Sequence, residues 1–470
     1  MLEKTFGELS VRNIHKSLRK GKIKSSDLIR NAIENYNKYE KYHNAYKTWK
    51  GEDTLLLAES VDKVFASGGD AGILMGIPIS VKDIYGVPGF PTYAGSYAPL
   101  PEPWEKAGPI IKSLQNQLSC IVGKTHAVEF AFGGLGPNEH WGTPRNPWDN
   151  KTHRITGGSS SGAGVSLING TALIALGTDT AGSIRVPASM TGVAGIKTTI
   201  GRWPTEKIVP LSTTLDTPGL LAKNVDDLAF AFESLDQQFA KKMRKIPCKP
   251  SLSDITFGVP DQFFWDGCEP GIYETIEQAI LILESAGARI VKLNLPGADE
   301  AYSIFKLGGL ATSELSSFLN SELPDRIAWL DSNIASRIKA ADDTPAREYI
   351  QRLNSLKKLS LSADNSLCKV DAFLTPTVAI SPPSLDSLKS AENYKAANVL
   401  ALRNTVISNF MSLCAITLPA GKDSNGMPVG LQLMGRSWND AKLLAIGQSV
   451  EDKIGTSRAL LGHIPSEIKI

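Results

Sequence analysis

The sequence predicts an α/β protein. Short runs of alternating apolar residues recur between segments of helical period. Residues 255–259, 273–285 and 289–293 read in order as strand, helix and strand, a βαβ unit. A third observation is a strand that ends in a lysine upstream of the chain's densest cluster of glycine and small hydroxyl residues.

Element by element, residues 10–20 and 25–39 carry apolar side chains at helical spacing, with Gly21 to stop the first helix and Ser25 to cap the second. Ile77, Ile79 and Val81 alternate in a short strand ending at Lys82-Asp83, and residues 86–95, rich in Gly and Pro, follow as a loop. Residues 110–118 read as a helix, and residues 120–122 and 172–176 as buried strands. In the later unit Gly287 stands where the helix must stop. Residues 301–360 are helical in period. Residues 241–253, basic and carrying Pro247 and Pro250, are the one candidate boundary, read either as a linker or as a solvated surface connection.

Composition narrows the function. Lys plus Arg is 50 and Asp plus Glu is 48, so no global field draws in nucleic acid or an anionic membrane. Hydrophobic residues at 42% and charged residues at 21% fit a globular chain with a sizeable core. The five cysteines are scattered and show no CxxC spacing, which points to a reducing compartment. Charged residues interrupt the first twenty positions, and no apolar run is long enough to cross a bilayer, so a cytoplasmic protein is expected. His126, His140 and His153 are too widely separated for a zinc motif, and no metal or cofactor is expected. Phe130, Phe132, Trp141 and Trp148 either line a substrate mouth or pack in the core, with two of the four expected in the core.

Residues 156–201 hold the glycine and hydroxyl cluster. Glycine permits positive φ and lets backbone N–H groups approach a ligand, so Gly157-Gly158-Ser159-Ser160-Ser161-Gly162 and Asp179-Thr180-Ala181-Gly182-Ser183 are candidate sites for an anion or a developing oxyanion. A P-loop needs Lys and then Ser or Thr after its last glycine, whereas Ala163-Gly164 follows Gly162. A nucleophile elbow would use Ser160 and needs a strand directly before it. Residues 146–156 are instead polar, with Pro147, Asp149 and Asn150, and only His463 comes late enough to complete a triad.

A third reading joins this segment to Lys82. Gly157-Gly158-Ser159-Ser160, the run from Gly177 through Asp179, Ser183 and Arg185 to Pro187, and Gly76-Ile77-Pro78-Ile79-Ser80-Val81-Lys82-Asp83 together resemble the amidase signature family. Further matches fall on Gly123-Lys124-Thr125, residues 142–148, residues 212–219 and residues 427–432, so the resemblance covers nearly the whole chain.

The resemblance implies one domain over residues 1–470, with a mixed twisted sheet of about eleven strands covered by helices on both faces. It implies Ser183 as nucleophile, Ser159 as the bridging serine, held in a cis peptide after Gly158, and Lys82 as base. The backbone N–H groups of Thr180, Ala181, Gly182 and Ser183 would form the oxyanion hole, helped by a helix starting near Ser183. The implied activity is hydrolysis of a small linear carboxamide to an acid plus ammonia or an amine through an acyl-enzyme. A homodimer is compatible with it, and the substrate-binding residues are unassigned. Alternatives within the family are a ureide or allophanate-type hydrolase, and the glutaminase component of a tRNA-dependent amidotransferase. Against the latter, Thr213-Thr214-Leu215-Asp216-Thr217 stands where that component has Ser-Ser-Leu-Asp-Gln. Outside the family, a non-catalytic scaffold is disfavoured because Lys82, Ser159 and Ser183 are all present. The chain departs from the usual pattern at Ala181 and Ser161, where glycine is common. Asp179 and Arg185 are read as an ion pair bracing the turn, or as a pair orienting a polar substrate.

Overall fold

The computed structural model describes residues 9–239, 245–341 and 343–465. Eleven strands form one sheet: β1 (Tyr46–Trp49), β2 (Pro78–Lys82), β3 (Cys120–Thr125), β4 (Ile174–Asp179), β5 (Ala194–Lys197), β6 (Thr217–Ala222), β7 (Thr256–Val259), β8 (Arg289–Lys292), β9 (Ala372–Pro376), β10 (Cys414–Lys422) and β11 (Pro428–Gly435). Their order across the sheet is β1-β3-β2-β4-β6-β5-β10-β11-β9-β7-β8. β2 runs parallel to β3 and β4, and β7 runs parallel to β8 and β9. The remaining pairs are antiparallel, so the sheet is mixed, as the resemblance implies.

Every residue of β2, β3, β4 and β6 is buried, which explains why these strands read as continuous apolar or small-residue runs. Helices cover both faces. Val225–Phe239 and Asp440–Ile454 pack Leu228, Phe232, Leu443 and Val450 into the main apolar core together with Leu220 and Ile416. None of the described helices is long and apolar enough to cross a membrane.

The first helix is Val11–Arg19, and the Ser10 hydroxyl accepts the Asn13 N–H at its start. The second, Ser25–His43, corrects one expectation. Lys24 is its N-cap, and Ser25 is already helical, its N–H taken by Asp62 and its hydroxyl by the Gly76 carbonyl. The parallel pairing of β7 with β8, joined by the helix Ile272–Ser285, matches the expected unit, and Gly287 ends that helix at φ +101°. Of the candidate boundary, residues 241–244 lie outside the described residues. Residues 245–251 run largely along the surface without helix or strand, and the chain then returns to the same sheet through β7.

β2 and β4 are neighbouring parallel strands, so their C-terminal ends open on the same edge of the sheet. That edge is where open α/β sheets hold their ligands. It carries Lys82 at the end of β2 and Thr178-Asp179 at the end of β4.

Candidate active site

Lys82 is fully buried at the end of β2. Its Nζ donates to Ser159 Oγ at 2.7 Å and to Thr178 Oγ1 at 2.9 Å, and it has no ion pair among the described residues. Burial drives its pKa down to about 7, against a partial opposing pull from the carboxylates of Asp216 and Asp179. A lysine in this setting is a base near neutrality rather than a permanent cation.

Ser159 sits in a turn fixed by main-chain contacts. Gly158 N–H donates to the Gly134 carbonyl at 2.8 Å, the Ser159 carbonyl accepts from Val128 N–H at 3.1 Å, and the Gly158–Ser159 peptide is cis. A Cβ on Gly158 would lie 2.8 Å from Gly136 N, so the close approach of residues 128–136 to this turn requires glycine.

The turn after β4 is organised by Asp179. Its Oδ1 accepts Gly182 N–H at 2.8 Å, and its Oδ2 accepts Ile184 N–H at 3.2 Å. Arg185 closes on both oxygens, with Nε 3.0 Å from Oδ2 and Nη2 2.9 Å from Oδ1. Burial raises the Asp179 pKa, but Arg185 overrides it and holds the carboxyl at about 2. The rest of the guanidinium reaches the Thr405 carbonyl, Ser408 Oγ, Asn409 Oδ1 and Gln432 Oε1, at 2.6–2.8 Å. The bracing pair is therefore a satisfied, fully buried network, and Gln432 in the matched segment 427–432 belongs to it.

Of the four expected oxyanion donors, Gly182 N–H is hydrogen-bonded to Asp179 Oδ1. A main-chain donor beside a carboxylate of its own turn takes that stronger, charged acceptor. The helix expected near Ser183 runs from Arg185 to Thr191, with Ile184 as its N-cap. Ala181 and Ser183 N–H have no protein partner among the described residues, and Thr180 lies directly before them. Ala181 takes an ordinary negative φ, which is why it can replace glycine, whereas Gly182 has φ +138° and an added Cβ would lie 2.1 Å from Thr405 Oγ1.

Ser183 is 4% exposed, and its carbonyl accepts Ser160 N–H at 3.2 Å, which brings the two serine turns side by side. The Lys82–Ser159 hydrogen bond is formed, and no hydrogen bond joins Ser159 to Ser183.

Thr178 and Asp216 escaped the sequence reading. Thr178 is the alternate residue of a strand whose neighbours drew attention, and Asp216 lies in the matched segment 212–219 without an assigned role. Asp216 accepts from Thr180 Oγ1 at 2.5 Å and from the Leu211 and Ser212 N–H groups at 2.9 and 3.1 Å. Burial raises it to about 6. Of the four aromatic candidates, Phe130 and Phe132 are buried and Trp141 and Trp148 are half-buried. Among the described residues no three His, Cys, Asp or Glu side chains gather as a metal-binding group.

A mixed eleven-stranded sheet bearing a buried lysine–serine pair against a glycine- and serine-rich turn defines a hydrolase of amide C–N bonds. The chain belongs to the amidase family, whose model, described as Amidase, matches residues 27–444. It is similar to a 2-amino-5-chloromuconic acid deaminase of Comamonas testosteroni, at 49% identity over 95% of this chain and 96% of that protein. It is also similar to a glutamyl-tRNA(Gln) amidotransferase component of Geobacter sp. (strain M21), at 28% identity over 94% and 97% of the two chains. Among solved structures, a crystal structure of an amidase superposes with a TM-score of 0.85 at 28% identity, covering 95% of this chain and 100% of that one.

Proposed function

We propose that this amidase works through an acyl-enzyme on Ser183. The observation that carries the proposal is the fully buried Lys82 amine 2.7 Å from Ser159 Oγ, with no carboxylate paired to it among the described residues. Ser183 Oγ attacks the amide carbonyl carbon and gives its proton to Ser159, whose own proton passes to Lys82 Nζ. The oxyanion is met by the N–H groups of Ala181 and Ser183, with Thr180 at the edge of the turn; removing one such donor typically costs about 2.7–4 kcal/mol. Collapse breaks the C–N bond, and the proton held on Lys82 returns through Ser159 to the departing ammonia or amine. Water then adds to the ester by the same route and releases the acid.

A second reading concerns the electrophile. The Comamonas relative is named for deaminating an amino-substituted muconic acid, and 49% identity along nearly the full chain favours an acidic, unsaturated substrate in which water forms a C–O bond at the amino-bearing carbon, the C–N bond breaks and ammonia leaves, giving the hydroxy-substituted diacid without an acyl-enzyme. The glutaminase reading draws on a relative at 28% identity and lacks that component's Ser-Ser-Leu-Asp-Gln. The test is ammonia release across aliphatic, aromatic, ureido, glutamine and dicarboxylic monoamides and 2-aminomuconate, with Ser183→Ala as blank. Turnover of none of the amides by the wild type, turnover of 2-aminomuconate alone, or full turnover by Lys82→Ala overturns the acyl-enzyme proposal.

The one-domain reading rests on all eleven strands sharing one sheet. A cytoplasmic location is supported by five cysteines that are all free.

A further inference from the structure

Arg337, like Arg145 and Arg326, is a half-buried guanidinium without a carboxylate partner among the described residues, but of the three it is the one held against the segment that fixes the Ser159 turn. Arg185 and Arg202 face carboxylates, and Arg403 is surrounded by the Asn404 side chain and the Phe264 and Asp266 carbonyls. Arg337, on the helix Ser332–Ala341, has no ion pair among the described residues. Its Nη1 donates to the Phe132 carbonyl at 2.8 Å, and its guanidinium carbon lies 3.4 Å from the centre of the Phe132 ring. Its Nε and Nη2 have no protein partner among the described residues, yet they are not sealed from solvent. Burial pulls its pKa down to about 10, so it keeps its charge at neutral pH while lacking a counter-ion.

Its place ties it to the active site. Phe132 lies in the segment that includes Val128, which donates to the Ser159 carbonyl, and Gly134, which accepts from Gly158. One helical turn before Arg337, Asn333 and Ile334 line a cavity of about 440 Å³ that Val128 and Tyr394 also line. Tyr394 packs in the apolar cluster that reaches Ala181 of the oxyanion turn. Among the acidic groups around this cavity, one is ion-paired and the others accept hydrogen bonds from neighbouring polar groups. Glu139 accepts from the Ser332 hydroxyl at 2.9 Å, Asp331 from Asn333 N–H at 2.9 Å, and Asp386 pairs with Lys389 at 2.9 Å. Glu129 accepts Asp331 N–H at 2.7 Å. Arg337 itself is not part of the cavity wall; its guanidinium lies against the Phe132 face, on the helix that contributes Asn333 and Ile334 to that wall.

We propose that Arg337 binds a carboxylate carried by the substrate at a distance from the scissile C–N bond, so that the enzyme selects acidic amides or amino-substituted unsaturated diacids over neutral ones. A planar fork with open N–H groups beside an aromatic ring suits a carboxylate conjugated to a flat carbon chain. This deepens the proposed function and rests on it for the reaction, but binding of the anion does not depend on Ser183 chemistry.

The test therefore reads binding first. Calorimetry with trans,trans-muconate is expected to show association with the wild type, weakened roughly 10- to 100-fold in Arg337→Gln, the range of a lost charge-assisted hydrogen bond. Arg337→Lys, which keeps the charge without the fork, should fall between the two. It decides the matter alone should the Gln variant not fold. Equal affinity in wild type and variants, or no association at millimolar muconate, overturns the proposal. As a second readout, the ratio of kcat/KM for adipamate over hexanamide should collapse by a similar factor in Arg337→Gln, mainly through KM, and an unchanged ratio counts against the anchor. Should muconate binding depend on Arg337 while no amide is turned over, the acyl-enzyme reading fails and the anion site stands.

Discussion

Replacing Asp216 by asparagine tests how the protein prepares its base. Burial lowers the Lys82 pKa from 10.5 to about 7, and the negative charge of Asp216 is the largest influence opposing that fall. At pH 7 an ordinary lysine is a free amine roughly once in 3,000 molecules, whereas one titrating near 7 is free in about half, a gain of about 4 kcal/mol in available base. The acid limb of kcat/KM should therefore have its midpoint near pH 7 in the wild type, with activity rising as Lys82 loses its proton. Burial raises Asp216 only to about 6, so it is mostly charged at the midpoint of that limb. Removing its charge takes away a stabiliser of the ammonium form, and the limb should move to lower pH. The assay is initial-rate ammonia release, from about pH 5 to pH 9.5, on a neutral amide with no titrating group. A limb near pH 10 in the wild type, or an upward shift in Asp216→Asn, would refute the reasoning.

Two further substitutions probe the turn after β4. Gly182→Ala must place a Cβ 2.1 Å from Thr405 Oγ1 at φ +138°, so the turn proposed to hold the oxyanion shifts, and kcat should fall by roughly 100-fold or more with a smaller change in KM. An active Gly182→Ala enzyme would show that the turn is not held in this geometry. Arg185→Ala leaves the buried Asp179 carboxylate without its counter-charge and should cost about 3–5 kcal/mol, read as a lowered midpoint in urea unfolding. A midpoint within error of the wild type would mean the pair does not brace the fold.

Much of this site was legible because its residues lie in dense local patterns. The alternation of Ile77, Ile79 and Val81 gives a strand that delivers Lys82 to its end, and the helix before Gly287 marks the unit built on β7 and β8. The spent N–H of Gly182 was not legible, because it depends on Asp179 folding back across its own turn, a three-dimensional competition between acceptors. Thr178 and Asp216 become visible only once β2 and β4 pair in parallel and the loop after residue 210 closes over Thr180. Arg337 was hidden for a related reason. It lies in a helical stretch without motif residues, some 200 positions from the Phe132 carbonyl it contacts, and its meaning comes from the lack of a nearby acid, which no spacing rule reports. Ser25 shows the converse limit: a serine at the right place suggests a cap, but the neighbouring Asp62 captures the helix N-terminus instead.

The relay through Lys82 and Ser159 has meaning only if Ser183 forms the covalent bond. The direct measurement is to react the folded enzyme with a fluorophosphonate and locate the added mass by peptide mapping. A single adduct on Ser183, absent from Ser183→Ala and formed far more slowly in Lys82→Ala, is the expected result. An adduct on Ser159 or Ser160, or no adduct on an enzyme that turns over amides, would contradict it.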